Sequence, residues 1–333
     1  MNPDPGSPMK GPLVVIPCLN EARHIGAILE DLFKDPAATE LLVIVVDGGS
    51  SDGSCAIVEA LARTHSQLRL MHNPARIQSA GVNAAVRQFA ENRVWLVRMD
   101  AHAEYPARFA SSIVMTAIEQ SAQSVVVPMR AVTARGPDRS CFQKAVVTAQ
   151  NSRLGTGGAA HRMGAVSHWV DHGHHALMRI DAFTAVGGYD EQLATNEDFD
   201  LDLRLAARGT RIWLSVEHEI GYFPRTTARA LWLQYVRFGA GRAATFSKHR
   251  NRPKLRQWLP IFLAPAVASM ALGPWIPLLL APAGIWAATC LIYGLVLGIR
   301  SRSLCAVASG PAAMVMHFAW SAGFWARMAR WHR

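Results

Sequence analysis

An acidic pair, Glu197-Asp198, follows the glycine turn Gly187-Gly188-Tyr-Asp-Glu191 and opens a segment with Leu201 and Leu205 at i,i+4 spacing. The spacing predicts a helix start, where the dipole and the free backbone N–H groups favour carboxylates. A carboxylate at such an edge can take a proton from an acceptor hydroxyl as a general base. An acidic N-capping cluster, which Asp200 and Asp202 would also suit, is the plainer alternative. Upstream, Arg98-Met-Asp-Ala-His102 places Asp100 and His102 one residue apart at a strand end. Together they can coordinate a divalent cation that neutralises a diphosphate leaving group. In Val45-Val-Asp-Gly-Gly-Ser-Ser-Asp-Gly53 the glycines let a turn approach a ligand closely, and Asp47 can accept hydrogen bonds from a base or ribose. The same composition also makes an ordinary turn. Gln234 and Arg237, in Gln234-Tyr-Val-Arg-Phe238, share a helical face. Arginine suits bidentate phosphate binding, although an interfacial helix facing lipid headgroups accounts for the same residues.

These groups need elements to hold them. Residues 13–16 are a short apolar run ending at Pro17, and residues 21–33 carry Ile25, Leu29 and Leu32 on one helical face. The run 41–46 (LLVIVV) reads as a strand buried on both faces. Asp52 can cap the helix that follows, which runs to about Thr64. Strand signals recur at 68–71, 94–99 and 124–127, with helical patterns at 79–89 and 106–120 between them. This alternation predicts a parallel, doubly wound sheet. In such sheets ligands bind beyond the carboxyl ends of the strands, which is where Asp47 and Asp100 fall. After residue 130 the pattern weakens. A glycine-rich stretch at 155–158 reads as a flexible loop, Trp169-Val-Asp-His-Gly-His-His175 is rich in histidine, and 211–216 reads as a strand.

Charge is unevenly distributed over the 333 residues, which carry a formal net charge of +10. Many cations crowd into Lys248-His-Arg-Asn-Arg-Pro-Lys-Leu-Arg256, directly before an apolar tail. A basic run in that position predicts a cytoplasmic membrane flank rather than a nucleic-acid site. The segment 229–248, with Trp232, Tyr235 and Phe238, reads as a basic amphipathic helix suited to an interface. No charged side chain occurs from Leu259 to Ile299, which leaves room for two crossings of about 20 residues each, broken near Gly273-Pro274 or Pro277. A third apolar segment, 304–325, precedes the terminal arginines; by the positive-inside rule it is re-entrant or lies flat. The five cysteines form no CxxC pair and no zinc pattern with histidine, so they read as reduced thiols. The N-terminus has no apolar core of signal-peptide length, so the first domain is expected to stay where it is made.

Taken in order, PxxNE, DGGSSDG, DxH, GGYDE, NED and QxxRF resemble the family-2 glycosyltransferases over roughly residues 12–250. The segments NPARIQSAGVN (73–83), RMDAHAEYP (98–106), GTGGAAHR (155–162), WVDHGHHA (169–176) and QYVRFGAGRA (234–243) resemble the membrane-attached branch that assembles succinoglycan-like exopolysaccharide. The resemblance implies an α/β fold of GT-A type, a doubly wound nucleotide-sugar-binding domain followed by a C-terminal helical membrane region. It implies a flexible N-terminus at 1–11, a catalytic domain at 12–228 and a basic interfacial segment at 229–257. Membrane-embedded helices at 258–326 and a basic end at 327–333 complete that division.

The activity implied is an inverting hexosyltransfer from a UDP-sugar, by resemblance UDP-glucose with a β-1,3 linkage, onto a lipid-linked saccharide. The setting implied is the cytoplasmic face of a bacterial inner membrane, with other polysaccharide-assembly proteins as partners and no nucleic acid. Asp198, with Glu197 beside it, takes the catalytic-base position. Pro17, Asn20, Glu21, Asp47, Gly49, Arg76, Asp100, Gln234 and Arg237 fall to the nucleotide-sugar. Asp100 and His102 fall to Mn²⁺ or Mg²⁺, with His102 standing where the family has a second Asp; imidazole tolerates Mn²⁺ better than Mg²⁺. Phe238 stands where the family has Trp. His172, His174, His175 and Phe238 are assigned to the acceptor side. Two other readings remain open at this point: transfer directly onto a polyprenyl phosphate, which needs no base, and a non-catalytic membrane-attached nucleotide-sugar-binding protein.

Overall fold

The computed structural model describes residues 10–133, 140–156, 166–250, 253 and 255–331. Residues 1–9 of the N-terminus, 157–162 of the glycine-rich motif, 251, 252 and 254 of the basic run, and 332–333 lie outside the described residues. Two compact units form. One comprises Met1–Met129 and Gly164–Tyr222; the other comprises Arg130–Met163 and Phe223–Arg333.

The first unit is built on an eight-stranded sheet in the order β3-β2-β1-β4-β9-β6-β10-β8. Its strands are β1 (Leu13–Cys18), β2 (Leu42–Asp47), β3 (Leu68–His72), β4 (Trp95–Arg98), β6 (Ser124–Val127), β8 (His168–Val170), β9 (His174–Arg179) and β10 (Ile212–Leu214). A short pair, β5 (Ala103–Glu104) and β11 (Ile220–Tyr222), runs antiparallel beside it. The chain leaves the unit through β7 (Met129–Ala131). Strand residues alternate between two faces, as the pleat requires. Val14, Ile16, Val43 and Val45 pack on one face with Ile25, Leu29, Phe109 and Ile113. Leu13, Val15, Ile44 and Val46 pack on the other with Val82, Val86, Phe183, Leu201 and Leu205. Each fully buried leucine or isoleucine contributes roughly 1.5–3 kcal/mol to holding the layers together.

The sheet differs from the all-parallel expectation at its centre. β1, β2, β3 and β4 are parallel, but β9 runs antiparallel to both β4 and β6, and β8 runs antiparallel to β10. β9 is buried on both faces, so its apolar run carries no sign of direction. The reversal has a functional result. The first residues of β9, His174 and His175, lie at the same edge as the last residues of β1, β2 and β4.

The second unit is helical. Its helices are Cys141–Gln150, Arg153–Thr156, Ala228–His249, Leu255–Ser269, Ala281–Arg300, Leu304–Val307 and Ser309–Trp331. The glycine-rich stretch expected as a loop begins within a short helix, because Gly155 packs against the backbone of Ala149 and its N–H bonds Ser152 O. Glycines also let the long helices meet backbone to backbone. A Cβ on Gly239 would stand 1.9 Å from Trp320 O, and one on Gly323 would stand 2.0 Å from Val236 O. Such small-residue contacts are the usual way apolar helices approach in lipid.

Helices at Pro277–Arg300 and Leu304–Arg330 are long and apolar enough to cross a membrane by length and composition, while Gln257–Leu272 is shorter. The break therefore falls at 273–276 as expected. The third apolar segment, however, has crossing length, and the first does not. Leu259, Trp275, Leu278, Ile285 and Ile299 are each more than half exposed. The expectation of reduced cysteines is corrected at one pair: Cys141 and Cys305 form a disulfide across a sequence separation of 164, with Cα atoms 5.0 Å apart. Only the packing of two distant helices brings them together.

Candidate active site

Asp198 stands in the first turn of the helix Glu197–Ala206. Asn196, in the left-handed region at φ 69°, starts that helix. Asp200 and Asp202 do not cap it. Asp200 is buried and accepts from Arg204 Nε at 2.9 Å, whereas Asp202 is buried against His175. That leaves Glu197 and Asp198 as the acidic side chains of the first turn that are not fully buried.

At the centre lies Arg98, the last residue of β4, its side chain only 3% exposed. Arg98 Nη1 donates to Asp198 Oδ1 at 2.5 Å and to the Tyr189 hydroxyl at 3.1 Å. Nη2 meets Asp100 Oδ1 at 3.4 Å. Oriented to satisfy both groups, the Gln78 amide oxygen accepts from Arg98 Nε at 3.1 Å and Nη2 at 3.0 Å. A buried guanidinium without such partners would cost far more than its packing returns. His174 completes the bridge between the two carboxylates, with Nε2 3.4 Å from Asp100 Oδ2 and Nδ1 3.6 Å from Asp198 Oδ2.

Burial opposes ionisation of Asp100, but Arg98 and His174 outweigh it and hold its carboxyl far below the usual range. Burial likewise opposes ionisation of Asp198, and Arg98, His175 and His174 reverse that. For His174 burial pushes the pKa down, while Asp100 and Asp198 bring it up to about 9. Glu197 goes the other way: burial and the adjacent Asp198 charge raise it to about 7. At neutral pH the cluster therefore holds two ionised aspartates under two fixed cations, with Glu197 at its titration point.

A second group lines the neighbouring rim. Asp47, at the end of β2, accepts from Gly49 N at 2.8 Å and from Ser50 N at 3.0 Å. Burial opposes its ionisation, but the Ser50 and Gly49 donors lower its pKa. Gly49 takes φ 90°, and the Arg76 guanidinium lies against it where a Cβ would contact Nη2 at 3.4 Å. Pro17 is in β1, paired with Val46. Asn20 N donates to Ser50 Oγ and Asn20 Oδ1 accepts from Ser51 N, both at 2.8 Å, which ties the PxxNE turn to the DGGSSDG turn. Glu21 N donates to Ser54 Oγ at 2.8 Å, and Glu21 Oε1 meets His102 Nδ1 at 3.0 Å. Asp52 accepts Ser54 N at 3.1 Å at the start of the next helix and also holds Ala22 N at 2.9 Å.

Gln234, Arg237 and Phe238 stand on the helix Ala228–His249 of the second unit, where the Phe238 ring packs edge-on to Tyr235 at 5.5 Å. His172 packs edge-on to Phe199 at 5.4 Å. His175 is fully buried and turned towards Asp202 and Tyr189, which removes its ring from the acceptor-facing set. Sequence reasoning gave no role to Arg98 or Tyr189 and treated Asp202 as a capping acid. The available signal for Arg98 was a charge inside the apolar strand run VWLVRM, since interior charges are retained when paired.

A family model described as "Glycosyl transferase family 2" matches residues 13–187, and a second, "Glycosyl transferase family group 2", matches residues 133–326. The succinoglycan biosynthesis protein ExoA of Rhizobium meliloti (strain 1021) is 46% identical over 321 residues, 96% of each chain. The chain belongs to glycosyltransferase family 2. A Methanococcus voltae relative, the dolichyl N-acetyl-alpha-D-glucosaminyl phosphate 3-beta-D-2,3-diacetamido-2,3-dideoxy-beta-D-glucuronosyltransferase, is 20% identical to this glycosyltransferase, covering 71% of its chain and 74% of the relative. Among solved structures, the mannosyltransferase PcManGT from Pyrobaculum calidifontis, in complex with GDP-Man and Mn²⁺, superposes with TM-score 0.55. It is 21% identical and covers 95% and 89% of the two chains. The 1–349 fragment of S. aureus TarS superposes with TM-score 0.50 at 17% identity, covering 98% and 92%. At that distance the superpositions show the fold, which is GT-A.

Proposed function

We propose that this family-2 glycosyltransferase transfers a sugar from a UDP-linked donor with inversion, Asp198 acting as the base. The observation that carries this reading is the Asp198 carboxylate: 21% exposed at a helix start, held ionised, and fixed by Arg98 at 2.5 Å. As an acceptor oxygen begins to bond the anomeric carbon its O–H becomes strongly acidic, and a carboxylate that is already ionised takes the proton. Opposite-face attack needs no covalent sugar–enzyme intermediate. Glu197 beside it gives the acidic pair one charge below pH 7 and two above it.

The rim residues Asn20, Glu21, Asp47, Gly49 and Arg76 suit the nucleotide, with Arg76 reaching the diphosphate. Asp100 and His102 suit a divalent cation. His102 Nδ1 meets Glu21 Oε1 at 3.0 Å, a carboxylate of the kind that commonly orients a metal-ligating imidazole. Among the described residues no three His, Cys, Asp or Glu side chains group to hold an ion alone, so the diphosphate oxygens would complete the set. When bound, such an ion would offset the negative charge that develops on the leaving diphosphate.

The acceptor we propose is a lipid-linked saccharide in exopolysaccharide assembly; the Rhizobium relative is named for succinoglycan biosynthesis. The exposed apolar helices of the second unit and the basic run before them favour attachment to an anionic cytoplasmic leaflet. The proposed organisation remains a catalytic part at 12–228, a basic segment at 229–257 whose Gln234 and Arg237 suit phosphate, and membrane helices at 258–326. UDP-glucose with a β-1,3 linkage is the donor and bond first to test.

Detergent-solubilised protein is assayed for UDP release with Mn²⁺ and a panel of UDP-sugars, with and without bacterial membrane lipid extract, beside Asp198→Asn. Lipid-dependent release that the variant loses is the expected result. Release that survives in the variant would replace this reading with transfer to a polyprenyl phosphate.

A further inference from the structure

Behind Arg98 lies a chain of buried polar groups. Asp202 follows Asp198 by one helical turn and is 0% exposed, as is His175, while Tyr189 is 2% exposed. His175 Nε2 meets Asp202 Oδ1 at 2.5 Å, and His175 Nδ1 meets the Tyr189 hydroxyl at 3.0 Å. The Tyr189 oxygen accepts Arg98 Nη1–H at 3.1 Å, and that same nitrogen donates to Asp198 at 2.5 Å. We propose that Asp202, His175 and Tyr189 are positioning residues that fix the Arg98 guanidinium and the Asp198 carboxylate, His175 Nδ1 also standing 3.6 Å from Asp198 Oδ1. The inference rests on Asp198 being the base.

Stability does not account for this chain. A buried carboxylate, imidazole and guanidinium are costly to desolvate, and apolar residues of equal volume often serve a fold as well or better. Orientation does account for it. Arg98 is held on one side by Gln78 and on the other by Tyr189, so its two Nη1 hydrogens have set directions. Tyr189 is itself clamped: its N donates to Asn83 Oδ1 at 2.9 Å, and its O accepts from Asn83 Nδ2 at 2.8 Å. Gly188 must precede it, because at φ 71° a Cβ would stand 2.4 Å from Asn83 Oδ1. With a neutral His175 ring the chain is unbroken: Nε2–H donates to Asp202 Oδ1, and Nδ1 accepts the Tyr189 O–H.

Asp202→Asn breaks the chain by a defined route. Asp202 Oδ2 already accepts Gly173 N–H at 3.2 Å. The new carbonyl takes that place, and the new NH₂ faces His175 Nε2, forcing the proton to Nδ1. The Tyr189 hydroxyl hydrogen then loses its acceptor. Tyr189→Phe breaks the chain one link later and removes a single oxygen.

Full-length protein in detergent is assayed with UDP-glucose, Mn²⁺ and bacterial membrane lipid extract, comparing Tyr189→Phe, Asp202→Asn, their double variant and Asp198→Asn. Each single variant is expected to lower kcat about tenfold, the scale of one lost hydrogen bond to a charged group, with the donor KM within about twofold. The double variant should be no worse than the poorer single, because both cut one chain. Independently of turnover, ¹⁵N NMR of Arg98 should show separate Nη resonances in the wild type that merge in Tyr189→Phe. Unchanged kcat together with unchanged Arg98 signals, losses that multiply in the double variant, or a loss confined to donor KM would overturn the proposal. Where Asp202→Asn fails to fold, Tyr189→Phe decides alone. Asp198→Asn that retains transfer would instead refute the base, and the positioning role with it; Asp198→Asn that is inactive beside normal Tyr189→Phe would refute only the chain.

Discussion

Beyond their apolar packing, each of the two units relies on a different kind of close contact. In the first, charge goes inside: Arg98, Asp200, Asp202 and His175 are buried, each with directed polar partners. In the second, backbones touch: Gly239, Gly294, Gly310 and Gly323 sit where a Cβ would meet a neighbouring backbone atom at 2.6 Å or less. Direction matters in the first unit and volume in the second. A change of one polar atom should therefore show in the chemistry of the first unit while leaving its fold intact. A change of one methyl group should show in the stability of the second.

The largest break would come from Asp198→Asn. Loss of a positioned base costs ~10²–10⁴ in rate, so transfer should fall to the background of the assay while thermal unfolding stays near that of the wild type. A variant that keeps even about a tenth of its rate would erase the contrast, since the polar cluster would then be merely structural.

Next in size is Gly323→Val. Its Cβ would collide with Val236 O, so helices 228–249 and 309–331 must move apart, at a cost of ~3 kcal/mol or more. The expected outcome is a lower unfolding midpoint in detergent and faster proteolysis of the C-terminal helices. An unchanged midpoint would mean that the contact is looser than it stands here.

The disulfide sharpens the comparison. Protein purified without reductant should yield Cys141 and Cys305 as one linked peptide by mass spectrometry, and Cys141→Ser should cost ~2–4 kcal/mol in the second unit. Recovery of both as alkylated thiols from unreduced protein would leave glycine contacts to hold that unit. It would also match what a reducing compartment imposes.

The smallest effect is a pH dependence. Glu197 rises from an ordinary 4.5 to about 7 through burial and the charge of Asp198. Between those values the folded chain keeps a proton that the unfolded chain has lost, so this group removes stability as pH rises through the window. Glu197→Gln should flatten the fall in unfolding midpoint between pH 4.5 and 7. An identical slope in variant and wild type would show that Glu197 ionises freely.

Much of this protein is settled locally. Residues 41–46 are apolar throughout, and all but Leu41 lie in the strand Leu42–Asp47, with helices on both faces. The apolar spacing within 21–33 and 79–89 gives the helices Ile25–Phe33, which starts four residues later than expected, and Gln78–Phe89, because one face has to be buried. Asp47 and Asp100 fall at strand ends because the apolar runs stop there, and Glu197-Asp198 opens a helix because its leucines start there. Composition alone set the basic run against the apolar tail and located the break near Pro274.

Other features needed partners from far along the chain. Whether β9 runs with or against β4 depends on its neighbours, because a strand buried on both faces shows no period that marks direction. That reversal brings His174 and His175 to Asp100 and Asp198. The central place of Arg98, the burial of Asp202, the clamp on Tyr189 and the Cys141–Cys305 bond join residues tens to more than a hundred positions apart. Hydrophobic periodicity reports which face a residue takes within its own element. Which charge or thiol it meets is decided only when separate elements pack, and so by the tertiary structure.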